Sequence, residues 1–335
     1  MRARLSIRGG SCTVDFSAFP YTHVGYARLT EVVDKRSAKA AVMKRLGGTQ
    51  ATANWHWAAW SRVQGYPTCA TFFQDRLCFA GSRRRPQRVW MSRSGDYESF
   101  EVQREKGAVT DDSAVTVDLL SLKSYRIMHM TAMTDLLILT EGNEWTISGQ
   151  ETVTPANVTP RNQQNFGTNE VLPIRIGNRV VYVQRRGSIV RDMGYSYETD
   201  SYVGADLTLL AKHMIRGHEI LSSSFQQEPD SILFFVRDDG ALLCLTYIAE
   251  QQVYGWSRIV TDGEIEGVLA APCGNNDMVY VVVRRRIEGT WRRYVERFDL
   301  DHMEKSQQAY CMMDAAVVRR YEEPRRRIEG LGHLE

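Results

Sequence analysis

The sequence predicts an all-β fold built from repeated antiparallel sheets, and three features carry that prediction. The first is the stretch Gln226 to Arg258, QQEPDSILFFVRDDGALLCLTYIAEQQVYGWSR, which reads as three short strands and two turns. Ser231 to Arg237 and Ala241 to Tyr247 are apolar, and Val253 to Ile259 follows a polar corner at Glu250-Gln251-Gln252. Asp238-Asp239-Gly240 between them is a hairpin turn, since Gly and Asp tolerate the positive φ of tight primed turns. The second feature is that this grammar recurs: Asp or Asn, an apolar strand, a polar or Gly turn, then a strand bearing an aromatic or Met. The third is its spacing. The anchors Asp75, Asp135, Asn178, Asp230 and Asp277 recur every 43 to 60 residues, a period typical of propeller blades. A β-sandwich of many hairpins is the alternative. The units are too long for single hairpins, which favours a β-propeller-like domain.

Taken in order, residues 1–59 form a basic, β-rich segment and connector. Nine Lys or Arg against three Asp or Glu in residues 1–50 make it +6, while the whole chain is +2. Within it, Gly25 to Gly48 is open from composition alone. Its Ala, Lys, Arg and Met suit a helix stopped by Gly47-Gly48, and ARLTEVVD followed by AKAAVMKRL equally suits a hairpin. Thr49 to Pro67, with Trp55, Trp57 and Trp60, joins this segment to the repeats of residues 60–300. The first repeat has QDRLCFAG (74–81) and QRVWMSRS (87–94), and the second has TDLLILTEG (134–142) and NEWTISG (143–149). The third has GNRVVYVQRRG (177–187) and SIVRDMGYS (188–196), the fourth is the opening stretch, and the fifth has NDMVYVVVRRRIEG (276–289) and TWRRYVERFD (290–299). Residues 301–335 form a C-terminal segment.

Composition excludes more than it assigns. The chain is 43% hydrophobic and 24% charged, ordinary for a globular protein. A net charge of +2 exerts no global pull toward nucleic acid or membrane. No apolar run approaches the roughly 20 residues of a membrane span, and MRARLSIRGGSCTVDF lacks the apolar core of a secretory signal. Cys12, Cys69, Cys78, Cys244, Cys273 and Cys311 form no CxxC pair, and read as small buried thiols in a reducing compartment.

The motif search assigns no catalytic, cofactor-binding or metal-binding residue and no cofactor. HExxH, GxSxG, Walker A and GxGxxG are absent, and the seven His form no ligand pair at helical spacing. Ser94-Gly95-Asp96 approaches the Ser-x-Asp turn of sugar-cleaving propellers but does not repeat. Asp111-Asp112 and Asp238-Asp239 could be drawn as acid–base pairs, yet adjacent carboxylates of this kind are mostly turn formers. Arg83-Arg84-Arg85, Arg284-Arg285-Arg286 and Arg325-Arg326-Arg327 read as solvated charge rather than a nucleic-acid surface. Trp and Tyr in strands read as packing residues rather than base-stacking platforms.

Several long blocks resemble the tail tubular protein B, nozzle or tail stabilisation family of short-tailed bacteriophages and prophages. They are WSRVQGYPTCATFFQDRLCFAGS (60–82), QRVWMSRSGDYESF (87–100) and DLLILTEGNEWTISG (135–149), then residues 178–213 and 226–258, in family order. The resemblance runs from about Thr22 to the last residue and favours the hairpin at Gly25 to Gly48. It implies a non-enzymatic virion protein in the tail, assembled in the host cytoplasm. Such proteins form a ring of the same subunit, usually a hexamer, below the portal and adaptor. The ring extends the channel that holds and ejects genomic DNA, without sequence-specific binding, and offers docking surface for tail fibres. Family members are longer than this chain, which ends at GLGHLE (330–335). The resemblance therefore also implies a split-gene piece, a decayed prophage copy or a subunit completed by another polypeptide. A generic propeller interaction scaffold and a propeller glycan hydrolase are the competing readings. The mechanism expected of the family is passive. A strongly basic lumen would slow ejection, so the Arg triplets are not expected to form a continuous belt on the channel wall.

Overall fold

The computed structural model describes residues 25–34, 37–46, 48, 58–102 and 108–298, and over these the chain is almost entirely β. A two-stranded hairpin, β1 (Tyr26–Val32) and β2 (Ala38–Lys44), comes first. The first sheet is β3 (Cys69–Phe73), β4 (Arg76–Ala80), β5 (Arg88–Met91) and β6 (Val115–Asp118). The second is β7 (Ile127–Ala132), β8 (Leu136–Thr140), β9 (Glu144–Ser148) and β10 (Thr159–Gln164). The third is β11 (Ile174–Ile176), β12 (Arg179–Val183), β13 (Val190–Ser196) and β14 (Ser201–Asp206). The fourth is β15 (Ile220–Gln226), β16 (Ile232–Arg237), β17 (Leu242–Ile248) and β18 (Val253–Ile259). The fifth is β19 (Glu264–Cys273), β20 (Asn276–Ile287) and β21 (Thr290–Arg297). Each strand pairs with its neighbour in sequence, so every sheet is an antiparallel meander of the blade kind. The chain divides into two compact units, Met1–Leu136 with Ile147–Arg161, and Leu137–Thr146 with Asn162–Glu335. That division cuts through the repeat region of residues 60–300 within its second sheet.

The hairpin settles the ambiguity at Gly25 to Gly48. A bulge at Thr30 keeps Ala27, Leu29 and Val32 in phase with Val42, Ala40 and Ala38 on one face. Arg28, Glu31 and Lys39 take the other. A helix would scatter these apolar positions, whereas a two-residue period collects them. Beyond β1, the Ser37 amide donates to Asp34 Oδ1 at 2.8 Å.

Sequence periodicity finds the second and third strands of each sheet and the outer strand β18, and the structure adds the remaining outer strands. β8 (LLILT) is buried at every residue, whereas β10 (TPRNQQ) has none buried. An outer strand that meets solvent has no need of an apolar run, so it leaves little mark on the sequence. The anchor residues mark another element. Asp75, Asp135, Asn178, Asp230 and Asp277 all lie at or beside the turn between the first and second strands of their sheets.

Within the second unit, sheets meet face to face. Val181, Val183 and Val190 of the third sheet share a core with Leu233, Phe235, Leu243, Leu245 and Tyr247 of the fourth. Phe234, Val236, Leu242 and Cys244, on the other side of the fourth sheet, meet Ile265, Val279, Val281 and Val283 of the fifth. Burial on both faces explains why ILFFV and LLCL are continuous apolar runs without alternation.

A recurring backbone hydrogen bond ties each sheet to the next. The amide that leads into a sheet's first strand donates to a carbonyl in or beside the turn between the previous sheet's second and third strands. The pairs are Ile127 to Pro86 (3.0 Å), Thr168 to Thr140 (2.8 Å), Ile220 to Gly187 (2.9 Å) and Ile265 to Gly240 (3.0 Å). Close approach here requires glycine. Gly240 has φ +81°, and a Cβ on it would lie 2.6 Å from Glu264 Cα. Gly177, at φ +56°, has open space around its missing Cβ. Gly240→Ala is therefore expected to cost at least about 2 kcal/mol, from left-handed strain plus a backbone clash. Gly177→Ala should cost about 1 kcal/mol, from strain alone. Urea unfolding of both variants checks this, and equal losses would refute the role given to the sheet-to-sheet junction.

Candidate functional site

The side chains that the sequence raises as candidates are largely spent on holding turns and strands together. Asp111-Asp112 is a receiver for arginines. Buried Arg76, the first residue of β4, donates to the carbonyls of Ser92, Ser113 and Asp111, each at 2.7 Å. Buried Arg93 pairs with the Asp112 carboxylate. Hydrogen bonds from Thr110 and then Arg93 hold that carboxyl below its ordinary pKa. Ser94-Gly95-Asp96 is tied to the β3–β4 turn. The Gly95 amide donates to Asp75 O at 3.0 Å, and Tyr97 Oη donates to Asp75 Oδ1 at 2.6 Å.

Asp238-Asp239 forms the turn expected of it, with a further partner. His218, three residues beyond the end of α1 (Lys212–Ile215) and just before β15, places Nδ1 2.8 Å from Asp238 Oδ1. Ligand atoms of His218, Asp238 and Asp239 lie within 4.8 Å of one another, the geometry of a cation site. Arg237 changes that chemistry. Its buried guanidinium forks onto both Asp239 oxygens and also donates to Met214 O. Arg237 holds the Asp239 carboxyl down to about 2. Asp239 is thus already engaged at both oxygens by a fixed cation.

The arginine triplets part company. Arg83, Arg84 and Arg85 are exposed in the turn after β4, as solvated charge should be. In the second triplet Arg286 is exposed, whereas Arg285 is buried and Arg284 is part-buried and paired, which corrects that expectation for these two. Buried Arg285 grips Glu296 through Nε at 2.6 Å and Nη2 at 2.8 Å. Arg284 pairs with Glu264 and lies 4.6 Å above the Trp291 ring. Register sets Glu264 opposite Arg284, whereas Arg285 stands opposite Arg292 and reaches along the sheet to Glu296, since pairing is cheaper than leaving a buried guanidinium alone. Arg325 to Arg327 lie outside the described residues.

The thiols also divide. Cys78 and Cys244 are buried, Cys69 is half-buried and Cys273 is exposed, against the expectation of uniform burial. Burial pushes Cys78 up to about 12, and Cys69 and Cys244 to about 11, so these three are neutral and poorly nucleophilic near pH 7. Cys12 and Cys311 lie outside the described residues. Trp60 is a packing residue as expected, edge-on to Phe79 at 4.9 Å, Phe100 at 5.0 Å and Trp90 at 5.6 Å. Trp55 and Trp57 are not among the described residues.

A surface cavity of about 460 Å³ lies at the root of the hairpin, lined by Tyr26, Asp96, Glu98, Ser99, Phe100 and Glu101. Its polar groups are already engaged. Tyr26 Oη donates to Glu101 at 2.6 Å and Lys44 Nζ lies 2.8 Å from the same carboxylate. Burial and then Glu101 push the Tyr26 phenol up to about 12.

Sequence reasoning missed two buried carboxylates, Glu144 in NEWTISG and Asp192 in SIVRDMGYS. Glu144 accepts from Tyr182 Oη and the Phe166 amide, each at 3.1 Å. Asp192 accepts from Arg179 Nε at 2.7 Å, the Ala205 amide at 3.0 Å and Tyr247 Oη at 3.1 Å. In both cases the tyrosine comes from the following sheet, so the pair is a polar pin through an apolar interface. An acid inside a strand-like apolar run is the signal that could have found them. Burial lifts the Glu144 carboxyl above its ordinary value, against the lowering effect of its donors.

No protein-family model matches the chain, and no curated protein matches it. Among solved structures, a luciferin-regenerating enzyme is similar over 65% of this chain and 85% of that one, at 10% identity and a TM-score of 0.26. A likeness that slight carries no functional argument.

The raised Glu144 carboxyl gives a signed pH dependence. Its folded form holds a proton more tightly than its unfolded form, so wild-type stability falls as pH rises from the ordinary carboxylate value through the raised one. Gln can accept from the Phe166 amide and donate to Tyr182 Oη, without a buried charge. Glu144→Gln is therefore expected to match or exceed wild-type melting temperature at pH 7, with the advantage lost toward pH 4. Melting curves across that range test it, and a Gln variant equally destabilised at both pH values would refute it.

Proposed function

We propose that this chain is a structural, non-enzymatic protein of a bacteriophage or prophage tail. It forms part of the tube or nozzle ring that holds double-stranded DNA and lets it out, and it offers docking surface to the adaptor and to tail fibres. The observation that carries this reading is the extent of the resemblance. The blocks shared with the tail tubular protein B family span the successive sheets in order, so they follow an architecture and not a local motif. Two further features support it. The acidic pairs, Arg284 and Arg285 are engaged in ion pairs and turn contacts. A wall that passes DNA benefits from such internal neutralisation, because each free cation meeting a phosphate adds salt-dependent grip. The backbone ties and polar pins between sheets also suit a wall loaded by packed DNA.

The purified chain, alone and with its adaptor, should be weighed in solution by light scattering. The expected result is a closed ring of about six copies, near 230 kDa against 38.2 kDa for one chain. A monodisperse monomer in both samples would overturn the reading.

A further inference from the structure

At one end of the first sheet, three segments are tied to one another. They are residues 61–68, which lead into β3, residues 81–87, which join β4 to β5, and residues 119–126, which join β6 to β7. The Arg84 amide donates to Gln64 O at 3.1 Å, and the Leu119 amide donates to Gln87 O at 2.9 Å. Gln87 Nε2 donates to Ser121 Oγ at 3.0 Å. Thr68 Oγ1 donates to Ile127 O, just past the third segment, at 3.0 Å.

None of the three segments carries an Asp or Glu. Asp118, which flanks the third, is held by both arms of Arg88 at 2.7 and 2.6 Å. Arg62, Arg83, Arg84, Arg85 and Lys123 are all exposed on the three segments. The whole chain is only +2, so this charge is a local property of one sheet end. Apolar side chains project among the cations. Leu122 is fully exposed and Leu120 is 85% exposed, with Tyr66 at 66% and Val63 at 51%.

We propose that this end of the first sheet docks on an anionic lipid surface. Leu120 and Leu122 enter the boundary between headgroups and acyl chains, and the arginines meet the lipid phosphates. Clustered cations select an anionic partner. The leucines select lipid among anionic partners. Single-stranded nucleic acid is held by aromatic platforms on which bases stack, and it gives a projecting aliphatic side chain nothing to enter. An acidic protein needs a shaped pocket for each anchor, whereas the bilayer boundary accepts any projecting apolar group beside a basic one. This goes beyond the tail reading and does not rest on it.

The test sediments the full-length chain with vesicles of phosphatidylcholine and phosphatidylglycerol, and with vesicles of phosphatidylcholine alone. Binding is expected to the first and not to the second, and should fall as salt rises. Replacing Arg83, Arg84 and Arg85 together by Gln should weaken it on the order of 100-fold, since each cation near an anionic surface contributes about fivefold. Leu120→Ser with Leu122→Ser keeps every charge and should weaken it about tenfold. All five positions are exposed, so both variants should melt with the wild type. Absent binding to the anionic vesicles, or binding undiminished in the leucine variant, would overturn the proposal. Tighter binding to single-stranded oligodeoxythymidine than to vesicles, indifferent to the leucines, would assign the surface to nucleic acid and overturn it too. Light scattering keeps the two readings apart: a monomer that binds vesicles supports this inference against the ring, and a ring that ignores them does the reverse.

Discussion

The structure depends on the hydrogen bond by which each sheet's entry segment holds the turn of the sheet before it. Antiparallel meanders are self-contained, since every internal strand satisfies its own backbone, and nothing in a meander dictates where the next one goes. The bonds from Ile127 to Pro86, Thr168 to Thr140, Ile220 to Gly187 and Ile265 to Gly240 supply that missing instruction. They bring backbone against backbone, which is why Gly187 and Gly240, both in left-handed conformation, stand at the acceptor side. Once the junction is set, sheet faces meet and apolar burial stabilises the stack.

Polar groups inside the stack follow the same logic. Burying a carboxylate or guanidinium without partners costs several kcal/mol, yet the second unit buries Glu144, Asp192, Arg237 and Arg285. Each has more than one partner, at least one of them from a different segment. Tyr182 reaches Glu144 and Tyr247 reaches Asp192 from the sheet that follows. Such pins contribute little to net stability but penalise any slip of one sheet against its neighbour, because slippage would leave the charge unpaired.

Periodicity and turn chemistry made the central hairpins legible. In the fourth sheet, Asp238-Asp239-Gly240 and the apolar runs on either side mark β16 and β17 almost to the residue. The anchors such as Asp75 and Asp277 were visible as a repeat, although their place at first-to-second-strand turns was not. Outer strands such as β10 escaped, because a strand that faces water carries no apolar signature. The candidate site was legible only as a list of suspects. Asp111-Asp112 and Arg284-Arg285 are conspicuous in sequence, but whether such residues catalyse, coordinate or merely pair depends on which partners reach them.

The amino-acid sequence by itself determined the all-β class, the number of apolar hairpins and the turns between them, because strand alternation and positive-φ turns are local properties. It also determined the amphipathic character of Gly25 to Gly48, though not whether helix or hairpin would express it. Only the tertiary structure decided which carboxylates are buried, which arginines are spent on ion pairs, and which sheet faces are covered. Those depend on residues dozens of positions apart meeting in space, as Asp192 and Tyr247 do, and no local pattern of residues encodes such a meeting.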